Sequence, residues 1–220
     1  MMSISARRGA GFSAWLASLA VLSLGLPAWA EAGGITRATA PVYDSVVVFA
    51  LPQGFEPGYE AEQDGAYILE LVPPGQSVEN WKELLTLTGV DNPPAVAGLS
   101  AQEIVDWGLE EIARGYKAAC AAPITFEAFN DAPPPGSEDG VLAHVGCAEL
   151  RQTGRSEQMM FWVAVRAGDL YTLQWAERGP TMESLAFDPP HWFDRFDVLG
   201  QMALCAPQPG EEAPYPSCLD

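Results

Sequence analysis

Three acidic side chains alternate with other residues in the stretch EAEQDG, at Glu60, Glu62 and Asp64, and Gly65 follows them. Carboxylates at every second position before a glycine resemble the first half of a calcium-binding loop. Such a loop also needs a bidentate acid at its twelfth position, and this position holds Leu71. The missing ligand favours a plain β-hairpin with solvated carboxylates, and a calcium site of low affinity is the alternative.

His191 is the second candidate for chemistry, because a carboxylate lies three residues away on each side, at Asp188 and Asp194. A carboxylate that orients an imidazole ring can assist proton transfer, as a hydrolase requires. However, Asp188 is followed by two prolines, which is also an ordinary start of a helix. The other histidine, His144, lies in the alternating stretch VLAHVGCAEL and is predicted to be a hydrogen-bonded, partly buried residue of a strand.

The first thirty residues have the features of a secretory signal peptide. Arg7 and Arg8 precede an apolar run over 12–26, and Ala28-Trp29-Ala30 supplies the small residues of a cleavage site. The apolar run is 15 residues long, whereas about 20 are needed to span a membrane. We therefore expect cleavage after Ala30 and export to the periplasm or beyond, with no membrane anchor in the mature chain.

Export gives the four cysteines a structural interpretation. Cysteines in an oxidising compartment usually form disulfides, and the chain has no CxxC motif of the thioredoxin or zinc-knuckle type. Three connectivities are open. We favour Cys120–Cys147 and Cys205–Cys218, because the second pair closes a tail, 205–220, that is rich in proline and glycine.

Charge and motifs narrow the range of functions. The net charge of −18 argues against nucleic acid and anionic lipid, since both are bound through clustered Lys and Arg. Beyond residue 30 the sequence lacks GxSxG, HExxH, P-loop and GxGxxG motifs, so it predicts no cofactor. Trp107 lies beside the apolar stripe of a predicted helix; if exposed, it would be an anchor for a ligand or partner, and the alternative is a core position.

The remaining pattern predicts an α+β protein with a largely antiparallel β-sheet packed between helices, in one domain over 31–204. Strands are predicted where β-branched and aromatic residues alternate between turn residues: 46–52, a hairpin over 58–71 turning at Asp64-Gly65, 123–129, 141–150, 158–166 and 170–178. Helices are predicted from capping residues and apolar stripes: 78–85 capped by Ser77, a helix to about Ala119 opened by the capping box of Ser100 and Glu103, and one from Asp188-Pro189-Pro190 to about Ala203.

The segment LPQGFEPGYEAEQDGAYILELVPPGQSVENWKELLTLTGV, with the later helix end GYKAAC, resembles a group of exported bacterial proteins of unassigned function. That group is similar to the PsbP-like α/β/α sandwich, named for the extrinsic subunit of the photosynthetic oxygen-evolving complex. The resemblance is clearest over residues 45–120. It implies a non-catalytic binding or accessory module for a protein or small ligand, with the His191 hydrolase and the calcium-dependent interaction protein as alternatives.

Overall fold

Antiparallel pairing organises the structure, a computed structural model that describes residues 36–219. The predicted signal peptide, residues 1–30, lies outside the described residues. The strands and helices follow one another in this order: β1 Thr36–Val42, β2 Ser45–Leu51, β3 Glu56–Gln63, β4 Ala66–Val72, β5 Glu83–Val90, α1 Ala101–Ala119, β6 Thr125–Phe129, β7 Asp139–Cys147, β8 Arg155–Arg166, β9 Asp169–Pro180, α2 Pro189–Leu199 and β10 Ala203–Cys205.

Seven strands form the main sheet in the order β3-β4-β5-β9-β8-β7-β6, and β1, β2 and β10 form a smaller sheet with β2 in the middle. Helix α1 covers one side of the main sheet, which we call the α1 face. Helix α2 and the smaller sheet cover the other side, the α2 face. The α+β prediction, an antiparallel sheet between helices in one domain, is therefore confirmed.

Both faces of the main sheet are apolar at β8, so this strand is buried on both sides. In β8, Phe161 and Val163 belong to the core of the α1 face, whereas Met160 and Trp162 belong to that of the α2 face. Successive side chains of a strand point to opposite faces, so one continuous apolar run supplies two cores.

Helix α1 begins and ends as its sequence predicts. Ser100 accepts a hydrogen bond from the backbone of Glu103, whose carboxylate accepts one from the backbone of Ser100. Ile104 and Val105 are buried against the sheet. Trp107, considered above as an exposed anchor, is partly buried and packs against the same core.

Two glycines of α1 are expected to respond oppositely to alanine. A Cβ on Gly108 would lie 2.9 Å from Cγ1 of the buried Val163, whereas one on Gly115 would meet no atom within 4 Å. Gly115→Ala should raise the free energy of unfolding by about 0.5–1 kcal/mol, the helix-propensity gain. Gly108→Ala should lower it by about 1 kcal/mol, because overpacking outweighs this gain. Urea unfolding of both variants checks the contrast, and a stabilised Gly108→Ala would contradict it.

The predicted helix over 78–85 is wrong. Trp81 lies in an irregular segment, and the chain enters β5 at Glu83. Leu85 and Leu87 are fully buried on the α2 face, with β4 on one side and β9 on the other. Residues 83–85 of the predicted helix instead pair with β9, and Leu85 also pairs with β4, so tertiary pairing overrides the local pattern.

The last helix is shorter than predicted. It ends at Leu199, and Ala203, expected on its inner face, lies in β10 and pairs with Val48 of β2. Phe196, also expected to point inward, is 37% exposed.

The favoured disulfide pairing is present. Cys120, at the end of α1, is bonded to Cys147, at the end of β7, and Cys205 of β10 is bonded to Cys218. The Cα atoms are 5.6 Å apart in each pair. The second bond closes the tail, which also touches the start of the domain where Arg37 Nη1 donates to the carbonyl of Leu219.

Candidate functional site: a groove beside α1

A groove lies on the α1 face where the second half of α1 passes over the sheet. The helix packs mainly on β7 and β8, so the neighbouring surface of β4, β5 and β9 is open beside it. The cavity volume is about 440 Å³, within the range of small-molecule sites. We call it the groove. Its walls are mostly apolar, from Ile68, Trp81, Leu84, Ile112, Ala119, Leu150, Met159 and Ala176.

Polar side chains form a row across the floor of the groove. Thr86 and Thr88 of β5 alternate with the buried leucines of that strand, so both threonines face the groove. Thr88 Oγ1 lies 2.7 Å from Oγ1 of Thr172 on β9, and the amide of Gln174 donates to the same hydroxyl at 2.6 Å. These contacts position Thr88 and Gln174 within the row.

Tyr116, Glu157 and Trp81 line the groove and form a charged cluster with Arg178. The hydroxyl of Tyr116 donates to Oε1 of Glu157 at 2.7 Å, and Nε of Arg178 donates to Oε2 at 2.6 Å. The guanidinium of Arg178 lies 3.8 Å from the ring centroid of Trp81. Burial, followed by the charge and hydrogen bond of Glu157, raises the pKa of Tyr116 well above its usual range. Tyr116 is therefore a fixed neutral donor.

Glu70 is the acid of the groove that has no direct contact with the cluster, although the charge of Arg178 acts on it. It lies on β4, where its backbone pairs with β3 and β5, and among residues 36–219 its carboxylate makes no hydrogen bond and no ion pair. Its pKa is raised above the ordinary value chiefly by partial burial, with Arg178 opposing the rise and Glu79 adding to it. A half-buried carboxylate without a hydrogen-bond donor is an acceptor available to a ligand.

The three carboxylates of the calcium hypothesis, Glu60, Glu62 and Asp64, do not form a metal-binding group. Glu60 and Glu62 are exposed on β3, and Asp64 occupies the turn before β4 with a φ of 52°. Glu60 accepts a hydrogen bond from the hydroxyl of Tyr67 at 2.8 Å. Throughout the described part of the chain, no three His, Cys, Asp or Glu side chains are placed to hold a metal ion.

His191 is paired with a carboxylate, but with neither of those predicted. Its Nε2 lies 2.7 Å from Oε2 of Glu177 on β9, and Nε of Arg195 donates to Oε1 of the same residue at 2.7 Å. Asp188 is the residue before α2 and makes no side-chain capping bond. Asp194 lies within α2, about one turn after His191. The carboxylate beside His191 is thus Glu177, and not Asp188 or Asp194. The hydrolase hypothesis stays a prediction.

His144 differs from its predicted environment. It is fully buried on the α2 face, and neither ring nitrogen makes a hydrogen bond within the described residues. Its ring centroid lies 4.8 Å from that of Phe187 and 5.3 Å from that of Trp192. Burial lowers its pKa to about 4, and the neighbouring Gln158 side chain opposes this shift. His144 is therefore neutral at pH 7.

One sequence pattern predicts part of the groove, but the incorrect helix prediction over 78–85 obscured it. In ELLTLTGV, threonines alternate with leucines, which is the pattern of a strand with one polar and one apolar face. Interpreted as a helix, the first part of this stretch predicts no polar row. Glu70 and Gln174 carry no comparable signal, because each is a single polar residue in an apolar strand.

Comparison with known proteins gives structural matches only. The chain matches no model of a known protein family, and no curated protein matches it. It is similar to the solution structure of cyanobacterial PsbP (CyanoP) from Synechocystis sp. PCC 6803, with a TM-score of 0.43 and 12% identity over 83% of this chain and 98% of that chain. It is also similar to the crystal structure of the Saccharomyces cerevisiae Ran-binding protein Mog1p, with a TM-score of 0.41 and 9% identity over 76% and 87%. A PsbP is thus among the structural neighbours.

None of the helices within residues 36–219 is long and apolar enough to cross a membrane.

Proposed function

We propose that the protein is an exported, non-catalytic binding module that holds a small amphipathic ligand in the groove. The observation that carries the proposal is the combination of a concave apolar wall with a row of polar side chains and one acid, Glu70, whose carboxylate makes no hydrogen bond within the described residues. Ligand sites typically combine such apolar walls with a few placed polar groups. Two disulfides support the exported part of the proposal, because such bonds persist in oxidising compartments.

The groove indicates the class of ligand. The floor offers hydroxyl and amide groups, and Glu70 is an acceptor when ionised. An apolar body would lie against the walls, and a hydroxyl or primary amine would donate to Glu70. A fatty carboxylate would place a second negative charge beside Glu70, which is unfavourable.

The test compares three probes of equal chain length: decylamine, decanol and decanoate. A ligand that binds only the folded state raises the melting temperature, by an amount equivalent to about 2.7 kcal/mol at one hundred times its Kd. We expect the amine and the alcohol to stabilise the protein and decanoate to have a smaller effect. Glu70→Gln should remove the preference of the amine over decanoate.

Gly115 offers a matched pair of control variants. It lines the groove on a helix, and its missing side chain leaves open space. Gly115→Phe should fill the groove and abolish the shift in melting temperature, whereas Gly115→Ala should retain it. The proposal is rejected if no probe stabilises the wild type, or if Gly115→Phe responds as strongly as Gly115→Ala.

A further inference from the structure

A second cavity lies on the α2 face, on the opposite side of the main sheet from the groove. It opens between α2, the end of β6 and the segment before α2, and its volume is about 280 Å³. Aromatic rings form most of its wall, contributed by Phe129, Phe187, Trp192, Phe193 and Phe196. We call it the aromatic cavity.

The rings have distinct places in the aromatic cavity. Trp192 is 1% exposed, and Phe187 packs against Phe129 with ring centroids 5.2 Å apart. Phe193 is 63% exposed and Phe196 is 37% exposed. The inner rings are therefore held by core packing, and the outer two stand at an accessible mouth.

The charge of the aromatic cavity has one sign. Asp131 is the only ionisable residue among those that line it, and no Lys or Arg takes part. The chain as a whole has a net charge of −18, which raises the local concentration of cations. Aromatic faces attract cations through their quadrupole, and several rings around one cation add their effects.

The lining also distinguishes between kinds of cation. A primary ammonium carries three donors that need acceptors when it leaves water, and the side chains here offer one carboxylate for that purpose. A quaternary ammonium has no N–H donors, and its methyl groups contact aromatic carbon directly. The cavity is also at the small end of ligand sites, which suits a compact group.

We propose that the aromatic cavity binds a compact quaternary ammonium group, with the rings around its methyl groups and Asp131 at the lip as counter-ion. Because the groove calls for a donor and a long apolar body, the two sites take different ligands. The quaternary ammonium is carried either by a free solute or by a lipid headgroup, and the chemistry recognised is the same.

The experiment is calorimetric titration of the full exported chain with choline and with 3,3-dimethyl-1-butanol, its uncharged analogue of the same shape. We expect choline to bind at least about tenfold more tightly than the analogue, a difference of about 1.4 kcal/mol. Competition between choline and phosphatidylcholine vesicles then identifies the source: displacement by vesicles indicates the headgroup, and its absence indicates a free solute.

Substitutions at exposed positions should change choline binding without changing the stability of the fold, so any loss of affinity can be assigned to the aromatic cavity. Phe193→Ala and Asp131→Asn should each weaken choline binding at least about threefold, with an unchanged melting temperature, since both side chains are exposed. Tyr59→Ala, an exposed aromatic residue on β3, and Gly115→Phe in the groove should leave choline binding intact. Equal affinity for choline and its uncharged analogue, no choline binding, or an unaffected Phe193→Ala would each overturn the proposal.

Discussion

Replacing Cys120 and Cys147 with alanine is expected to lower the free energy of unfolding by about 3.5 kcal/mol, the loop-closure entropy of a 27-residue separation. The bond joins the end of α1 to the end of β7, and both cysteines are buried with Leu150 in a small cluster. In the folded variant this packing keeps the loop closed without the bond. The loop therefore gains conformational entropy only in the unfolded state, and the full loop-closure term is lost from the stability. Alanine is preferred to serine because a buried hydroxyl would add its own cost.

The matched control is the pair Cys205→Ala and Cys218→Ala. The tail between them is mostly exposed, so without its bond it can detach while the core stays folded. The freed loop then gains entropy in the folded state as well as in the unfolded state, and the free energy of unfolding should fall by about 1 kcal/mol or less. Denaturant unfolding of the two double variants measures the contrast. Equal losses for both would contradict this assignment of roles.

Acidification is expected to destabilise the protein through His144 by about 3 kcal/mol. The folded pKa is about 4, below the value of about 6.5 for an unfolded chain. Above pH 6.5 the ring is neutral in both states, and its contribution to stability is fully present. As the pH falls below 6.5, the unfolded state binds a proton that the folded state does not bind. This contribution is lost progressively down to about pH 4, where the folded state is protonated too.

His144→Leu should remove this part of the pH dependence. Unfolding free energies at pH 7 and pH 4.5 should differ by about 2–3 kcal/mol less in the variant than in the wild type. His191→Gln is the control, because the chain has two histidines and His191 is exposed on α2. A His144→Leu variant with the wild-type pH dependence would show that carboxylates, and not this ring, carry the acid sensitivity.

The parts of the fold that depend on neighbouring residues, such as the start of α1 and the turn before β4, could be predicted from the sequence. The capping box of Ser100 and Glu103 places the start of α1 because its hydrogen bonds join residues three apart. The Asp64-Gly65 turn is equally local, since both residues adopt positive φ and return the chain into β4. The segment 78–85 failed for the converse reason: its structure depends on β9, which lies far along the chain.

The groove could not be predicted, because its parts meet only through long-range pairing. Glu70 lies on β4, Thr86 on β5 and Gln174 on β9, and β5 stands between the other two strands. No spacing in the sequence brings these side chains together. His191 shows the same limit, since its carboxylate partner, Glu177, is supplied by β9 rather than by its own helix.

The position of β2 in the smaller sheet has a consequence for the order of assembly. It pairs with its immediate neighbour, β1, on one edge and with β10, near the carboxyl-terminal end of the described residues, on the other. During synthesis the second edge stays unpaired until almost the whole domain has left the ribosome. Contacts of such high sequence separation form late, because a long loop must close first. The smaller sheet is thus completed last, after all the strands of the main sheet have left the ribosome.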